Sequence, residues 1–350
     1  MDQIRQLARC LFLLLVPVAC ATGGHPVNGD IDALMGRYNG AVPGASLLVV
    51  SDGKSVVRQS WGFADVEKHV AATPATNYRL ASVTKQFTAA AILLLAQDDK
   101  LELSDKISQY LPSLPKSAAS ITIHQLLTHT SGIVDYEDLM ADTATRQVHD
   151  RDVLELLSHK DSLYFEPGTS YRYSNSGYSL LSLIVEKVSG KSFAAFLHDR
   201  IFVPLGMNNT VAHQDGVDEV SRRAFGYTLR DSAWTRKDQS TTSAVLGDGG
   251  IYSSIDDMAK WDAAQYDSRL LEEKWRLVGF TPHTPTDVAG TSYGFGWRIT
   301  GDMIWHSGET SGFRNVIIRY PARKLTVVLL TNRDTPRPYE TAVAIAKLFQ

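Results

Sequence analysis

Cysteine is almost absent from this sequence: its 350 residues include two, Cys10 and Cys20. Both fall within residues 1–21, which have the layout of a secretory signal, with arginines, then an apolar run, then small residues before a cleavage site. If cleavage follows Ala21, no cysteine remains. Disulfide bonds, a thiol nucleophile and a cysteine-ligated metal are then excluded.

The apolar run Cys10–Ala19 is also too short to cross a membrane. We therefore interpret residues 1–21 as a signal peptide, 22–30 as a linker and 31–350 as one domain. The alternatives are an uncleaved anchor and lipid attachment at Cys20, although Pro17 stands where a lipoprotein signal usually has leucine. The expected protein is exported, periplasmic or secreted, with no integral membrane segment after signal removal.

The sequence has no excess of either charge. Its 35 lysines and arginines nearly balance 38 aspartates and glutamates, for a formal net charge of -3, and no basic tract stands out. Binding to nucleic acid or to an anionic membrane surface is therefore not expected.

Strand-forming segments occur near both ends of the chain, with mostly helical patterns between them. Ala45–Ser51 and Ser55–Trp61 flank Asp52–Gly53, a strong hairpin signal, and Phe313–Tyr320 and Leu325–Thr331 form a second pair. The pattern predicts an α+β fold: an antiparallel sheet from both chain ends, flanked by helices, with an inserted mostly helical subdomain. The terminal and central helices are predicted at Ile31–Tyr38, Gly177–Val188 and Tyr339–Phe349.

A serine and a lysine begin a segment that is apolar on nearly every face. Ser82 and Lys85 are one helical turn apart and share a face, and the following Phe87–Ala96 has no charged residue. Such a helix belongs in a core, where an ammonium is costly unless it is paired or loses its proton. We therefore predict that Lys85 accepts the proton of the Ser82 hydroxyl and that Ser82 is a nucleophile.

The Ser-x-x-Lys spacing is weak evidence by itself, because a serine before a helix is commonly an N-cap. The sequence holds two further copies, Ser51–Lys54 in a hairpin turn and Ser113–Lys116, in which Pro115 blocks helical spacing. Of the three copies, Ser82 alone begins a segment predicted to be a buried helix.

Tyr173 and Asn175 form a second element, which follows the Pro167–Gly168 turn and precedes a predicted helix. A phenol beside a lysine can act as a general base and later as an acid. The Asn175 amide offers a donor and an acceptor to a substrate carbonyl or to the lysine. The alternative is an asparagine helix cap beside a packed tyrosine.

His306, Ser307 and Gly308 form a third element at the end of a β-like run. Glycine lets a substrate approach an edge strand closely, and the backbone N–H of Glu309 would then donate to an oxyanion. His306 is expected to bind a carboxylate or to stabilise an ionised Tyr173, the alternative being a structural histidine. The three elements in this order are more specific than any one alone.

Three other patterns predict no site. Gly290–Gly294 matches the Gly-x-Ser-x-Gly elbow of α/β-hydrolases but lacks the strand before and the helix after it. His124 and His129, five residues apart, do not suit two metal ligands on one helical face, so no metal is expected. Gly247–Gly250 is interrupted by Asp248 and lacks the Lys-Ser/Thr of a phosphate loop.

The three elements Ser82–Lys85, Tyr173–Asn175 and His306–Gly308 carry a family resemblance. The sequence resembles the serine β-lactamase-related hydrolases, in the branch with class C β-lactamases, D-alanyl-D-alanine carboxypeptidases and penicillin-binding-protein-like esterases. The resemblance extends over roughly Ala45–Leu330. Other segments that carry it are Tyr78–Phe87, Leu126–Gly132, Pro204–Met207, Gly249–Gly250 and Tyr293–Trp297.

This resemblance implies a β-lactamase/transpeptidase-like fold and an acyl-enzyme on Ser82, formed without a cofactor. Lys85 and Tyr173 would handle protons, the backbone N–H groups of Ser82 and Glu309 would form the oxyanion hole, and Asn175 would contact substrate. The implied partner is a small molecule or short peptide.

The resemblance leaves the substrate open. The third element has His306 where class C β-lactamases have lysine, so a substrate carboxylate should be held less firmly. This favours a D-amino-acid peptide, as in a carboxypeptidase or aminopeptidase, or a small acyl ester. The alternatives are a class C-like β-lactamase and a penicillin-binding cell-wall sensor that acylates without turnover.

Overall fold

The first helix, α1 (Pro26–Met35), begins five residues before the predicted Ile31. A computed structural model describes residues 26–350, so the predicted signal peptide lies outside the described residues and stays a prediction. Residues 26–30, interpreted as linker, are helical. Ile31 and Met35 are buried against the sheet and the C-terminal helix, and this packing outweighs the weak helical propensity of the preceding segment.

The helices of residues 26–350 include none that is both long and apolar enough to cross a bilayer. After α1, the α-helices are α2 (Lys85–Gln97), α3 (Ile123–Leu127), α4 (Asp150–Ser158), α5 (Asn175–Ser189), α6 (Phe193–Leu197), α7 (Val203–Leu205), α8 (Leu246–Gly249), α9 (Ile255–Ala263), α10 (Glu273–Gly279) and α11 (Tyr339–Lys347).

The strands are β1 (Ala45–Ser51), β2 (Lys54–Trp61), β3 (Phe63–Asp65), β4 (Val70–Ala71), β5 (Tyr78–Arg79), β6 (Val211–Ala212), β7 (Tyr227–Arg230), β8 (Ala233–Arg236), β9 (Ile251–Ser253), β10 (Thr284–Pro285), β11 (Thr291–Tyr293), β12 (Arg298–Thr300), β13 (Met303–Thr310), β14 (Phe313–Tyr320) and β15 (Leu325–Thr331).

Eight of these strands form one antiparallel sheet in the order β10-β11-β12-β13-β14-β15-β1-β2. Strand β1, from the N-terminal end, pairs with β15, from the C-terminal end, so that Ala45 lies opposite Thr331. The predicted sheet built from both chain ends is therefore confirmed, as is the hairpin of β1 and β2. Most of the chain lies between β1 and β15. Bringing these strands together costs loop-closure entropy, which the packing of the whole fold must offset.

The sheet separates two hydrophobic cores. Along β1, Leu47 and Val49 face one core, which α1 and α11 cover, whereas Leu48 and Val50 face the other, which contains α2 and the helical region. This alternation follows from the two-residue period of a strand and explains why β1 is apolar on both faces. The larger core joins the sheet to the inserted helices, and the predicted α+β architecture is confirmed.

Candidate active site

Ser82 lies in a 3-10 turn, Ala81–Thr84, that runs directly into α2. Lys85 and the residues after it through Ala96 are buried, as their apolar composition predicts. The residue before the serine, Ala81, has a φ of 50°, in the left-handed region that residues with a side chain rarely adopt. Such strain persists where surrounding structure holds it, so the serine turn is a constrained part of the fold.

Lys85 is fully buried, and its Nζ atom lies within hydrogen-bond distance of three oxygen atoms. These are Ser82 Oγ at 3.1 Å, Asn175 Oδ1 at 2.9 Å and the Asp248 carbonyl oxygen at 3.0 Å. Amide and carbonyl oxygens only accept hydrogen bonds, whereas a hydroxyl also donates. An ammonium can donate to all three, and a neutral amine can donate two bonds and accept the serine proton. The geometry therefore suits both protonation states of a proton acceptor.

Helix α8 holds the third of these oxygen atoms in place. Both carboxyl oxygens of buried Asp150, on α4, accept backbone N–H groups from the first two residues of α8, at 2.8 and 3.0 Å. The Gly247 carbonyl accepts from Thr88 Oγ1 on α2 at 2.6 Å. Because α8 is fastened to α4 and to α2, the Asp248 carbonyl is held toward Lys85.

Asn175 is the first residue of α5, two residues earlier than the predicted start. Its backbone N–H donates to Asp135 Oδ2 at 2.7 Å, and its side-chain Nδ2 donates to Glu137 Oε1 at 3.0 Å. Since its Oδ1 accepts from Lys85, the asparagine links the lysine to an acidic segment. The lysine was one of the two partners expected for Asn175, the other being a substrate carbonyl, whereas the acidic neighbours were not predicted.

Tyr173 lies in the loop before α5, as predicted, and its ring faces the lysine. Lys85 Nζ is 4.9 Å from the centre of the Tyr173 ring. The Tyr173 hydroxyl is buried and has no hydrogen-bond partner among the described residues. A buried phenol hydroxyl without a partner is unusual, because buried hydroxyls are ordinarily satisfied. It is therefore available to a substrate or to a bound water.

His306 lies on β13 and is buried, with both ring nitrogens engaged inside the protein. Nδ1 is 2.6 Å from the Ser307 carbonyl oxygen, which can only accept, so Nδ1 carries the proton and Nε2 accepts from Tyr293 Oη at 2.9 Å. Burial, together with the positive charge of Arg298, lowers the pKa of His306 to about 3. Both ring nitrogens are thus bonded within the protein, and the expectation that His306 binds a carboxylate or stabilises an ionised Tyr173 stays a prediction.

Strand β13 passes the serine turn at very short range. A Cβ atom on Gly308 would overlap the carbonyl oxygen of Leu80, so no larger residue fits there. Beyond Trp305, β13 has β14 on one side and no strand on the other. Thr310 precedes a two-residue turn, so its backbone N–H and C=O groups point toward β14. Because these directions alternate along a strand, the backbone groups of Ser307 and Glu309 point to the other side, toward the serine turn.

A cleft is lined by Ser82 together with Asn175 and Glu309, which the sequence placed in the site. Its other lining residues were not predicted: Arg79, Ala81, Tyr136, Glu137, Thr242, Asp248, Gly249 and Thr310. Burial raises the pKa of the Asp248 carboxyl to about 7, against the opposing effect of Lys85. Tyr136 donates to that carboxyl at 3.2 Å. Of the segments that carry the resemblance, Tyr78–Phe87 contains Arg79 and Ala81, and Gly249–Gly250 contains Gly249 and follows Asp248.

Comparison with known sequences agrees with the three motifs. The model of the Beta-lactamase family matches residues 27–349. Penicillin-binding protein 4* of Bacillus subtilis (strain 168) is 30% identical over 326 residues, which cover 88% of this chain and 71% of that protein. Protein flp of Staphylococcus aureus (strain MW2) is 31% identical over 309 residues, or 85% of this chain and 61% of flp. The chain thus spans less than two thirds of flp.

Solved structures share the fold along most of the chain. The octameric penicillin-binding protein homologue from Pyrococcus abyssi has a TM-score of 0.82 and 28% identity, covering 92% of this chain and 76% of that chain. The D-amino acid amidase from Ochrobactrum anthropi SV3, complexed with L-phenylalanine amide, has a TM-score of 0.80 and 26% identity. That match covers 93% of this chain and 99% of the amidase.

Proposed function

Because this chain belongs to the β-lactamase family, as its motifs predicted, we propose that it is a serine hydrolase that forms an acyl-enzyme on Ser82. The observation that carries this proposal is the 3.1 Å distance between Ser82 Oγ and Lys85 Nζ. A hydroxyl within hydrogen-bond reach of a buried amine has the partner that nucleophilic activation requires. Tyr173, whose ring centre is 4.9 Å from the same amine and whose hydroxyl is unbonded within residues 26–350, is the proposed second proton acceptor and donor.

In the proposed reaction, the Ser82 proton passes to Lys85 and Tyr173 acting together while Oγ bonds to the substrate carbonyl carbon. The tetrahedral intermediate then loses its amine or alcohol, which takes up the proton as its bond to carbon breaks. Water attacks the resulting ester in the same way and restores the serine. One water is consumed, and an acid and an amine or alcohol are formed.

The oxyanion of the intermediate would lie between the serine turn and β13. The backbone N–H groups of Ser82 and Glu309 are the proposed donors, since alternation along β13 directs those of Glu309 toward the turn. Two such donors, fixed before the reaction begins, stabilise the developing negative charge without reorganisation. Gly308 permits the short approach that brings the two donors together.

The charges of the cleft support a substrate with a free amino group. Glu137 is exposed to the cleft and forms no ion pair within residues 26–350, whereas the guanidinium of Arg79 is buried and donates to Gln239 and Ser243. His306 is neutral and adds no positive charge. We therefore propose a D-aminoacyl amide or ester with its α-ammonium near Glu137. The structural similarity to a D-amino acid amidase supports the same substrate class.

A second candidate is the hydrolysis of a D-amino-acid peptide with a free carboxylate. The similarity to penicillin-binding protein 4* favours it. Such a substrate needs a cation for its carboxylate. Arg79, which lines the cleft, is buried and donates to Gln239 and Ser243, and Lys85 is fully buried and donates to protein oxygens. The charge distribution therefore favours the first candidate.

A fluorophosphonate probe tests the nucleophile directly. The probe should label the purified protein, and Ser82→Ala should abolish the label and lower hydrolysis of D-phenylalanine amide by roughly 10³-fold or more. The matched control is Ser113→Ala, because Ser113 begins another Ser-x-x-Lys but is exposed; this variant should behave as wild type. Labelling that survives in Ser82→Ala would refute the assignment.

A further inference from the structure

His129 lies two residues beyond the end of α3, and it is 1% exposed. Its φ is 58°, a left-handed conformation that costs free energy for a residue with a side chain. Its spacing from His124 does not suit a metal site, and it lies in the Leu126–Gly132 segment. A strained, buried histidine that the proposed reaction does not use requires another explanation.

The contacts of His129 enclose Tyr173. Its carbonyl oxygen accepts the backbone N–H of Arg172 at 3.0 Å, and its Nδ1 accepts the backbone N–H of Ser174 at 3.1 Å. These two donors are the residues immediately before and after Tyr173. The imidazole also packs against the Tyr173 ring, with 4.3 Å between the ring centres and 37° between the planes.

The protonation state of His129 is determined by these contacts. Nδ1 accepts a hydrogen bond, so the proton of the neutral ring lies on Nε2, which has no partner among the described residues and is surrounded by aromatic rings. Burial and the positive charge of nearby Lys85 hold the pKa of His129 well below its ordinary value. A ring that stays neutral is a constant acceptor and does not carry protons in the reaction.

Tyr173 depends on such contacts because its own hydroxyl has no hydrogen bond. The position of the phenol is therefore set by the backbone on either side and by ring packing, and His129 supplies both. We propose that His129 is a positioning residue that holds the Tyr173 hydroxyl in place for proton transfer with Ser82 and Lys85. This inference rests on the proposed function, in which Tyr173 exchanges protons with the nucleophile.

Two substitutions separate the contributions of His129. His129→Asn keeps an acceptor at the δ position and tolerates a positive φ, whereas His129→Phe keeps an aromatic ring and loses the acceptor for Ser174. The rate of fluorophosphonate labelling at saturating probe and the half-saturating concentration are measured separately. His129→Phe should lower the saturating rate by roughly 10- to 100-fold with little change in the half-saturating concentration. His129→Asn should retain most of the rate.

The same substitution in a Tyr173→Phe background shows whether the histidine acts through the tyrosine. If it does, His129→Phe causes no further loss once the phenol hydroxyl is gone, since residues that act as a unit are not additive. An equal loss in both backgrounds, or an unchanged rate in His129→Phe, would overturn the inference. Equal losses in His129→Phe and His129→Asn would also overturn it, because the retained acceptor would then have no effect.

Two controls keep the outcomes distinct. Thermal unfolding identifies a variant that does not fold. If His129→Phe does not fold, His129→Gln replaces it. The glutamine oxygen lies one bond further from the backbone than Nδ1 of the histidine, and the same dependence on Tyr173 is expected. If the wild-type protein is not labelled at Ser82, the proposed function fails and this inference fails with it. Labelling of Ser82 at the wild-type rate in the folded variant overturns the inference alone.

Discussion

Individual side chains around Ser82 determine the charge that a substrate meets. Lys85 donates its hydrogen bonds to three protein oxygens or shares a proton with the serine, and Arg79 is bonded to Gln239 and Ser243. Glu137 has a single hydrogen bond from Asn175 to one of its carboxylate oxygens. Because a carboxylate accepts several hydrogen bonds, Glu137 retains capacity for an ammonium group.

Glu137→Gln tests that role, because glutamine keeps the acceptor for Asn175 and removes the charge. We expect the KM for D-phenylalanine amide to rise by roughly 10- to 150-fold, consistent with about 1.5–3 kcal/mol for a hydrogen bond to a charged group, while kcat changes little. The control substrate is a short acyl ester with no amino group, whose KM should not change. Steady-state kinetics with both substrates give the comparison, and an equal rise in both would contradict an ammonium site.

Two short elements lie against the serine turn and position groups of the site: α8, and the end of β13 that pairs with β14 alone. Four-residue α8 presents the Asp248 carbonyl to Lys85, and it fits because Gly247 packs directly against the Tyr178 carbonyl oxygen and Ser182. In the sequence, Gly247–Gly250 does not match a phosphate loop, and its Gly249–Gly250 pair only contributes to the family resemblance. Its function depends on the elements that surround it and not on a local pattern.

Gly308→Ala should displace β13 from the serine turn, because the added Cβ would overlap the Leu80 carbonyl oxygen. Loss of one oxyanion donor typically costs 10²- to 10³-fold in kcat, and we expect a fall of roughly that size. The matched control is Gly29→Ala in α1, where a Cβ meets no atom within 4 Å. Labelling rates and thermal unfolding of both variants are compared. A wild-type rate in Gly308→Ala would show that the short approach is not needed.

On the scale of the whole molecule, buried polar groups join the sheet to the helical region. Arg319 of β14 pairs with Asp262 of α9 at 2.7 Å, both almost fully buried, and Thr326 of β15 donates to the same carboxylate. Asp248 is a further buried carboxyl, at the junction of the two regions, and has no ion-pair partner among the described residues. Its burial has a consequence for the stability of the entire fold.

Asp248→Asn should change how stability depends on pH. The pKa of Asp248 is about 7 in the folded protein and near 4 when unfolded, so the folded state binds a proton more tightly. The stabilisation that this group contributes is fully present below pH 4. It is lost as the pH rises through 7, which lowers the free energy of unfolding by roughly 4 kcal/mol. Relative to Asp248→Asn, the free energy of unfolding of wild type should therefore fall between pH 4 and 8. Urea unfolding across this range measures it, and parallel curves would contradict the raised pKa.

Local pattern was enough to predict the fold class, the buried helix after Ser82, the loop position of Tyr173 and the hairpins of the sheet. Each of these features depends on the spacing and periodicity of a few neighbouring residues, so it can be predicted from the sequence. The three motifs also predicted the family, since the three elements in this order are more specific than any one alone. The predicted helix boundaries were less accurate. Helix α5 begins at Asn175 and α1 at Pro26, because tertiary contacts influence where a helix begins.

The environment of each motif residue was decided by the tertiary structure. Lys85 donates hydrogen bonds to acceptors that lie 90 and 163 residues away in the chain. The ring of His306 is neutral because it is buried, and its Nε2 accepts a hydrogen bond from Tyr293. The Ser-x-x-Lys spacing by itself does not identify a catalytic pair, because the two other copies in this chain lie in a hairpin turn and across Pro115. Burial, charge and hydrogen bonding arise from residues distant in sequence, so folding alone determines whether a serine and a lysine one turn apart can act as a catalytic pair.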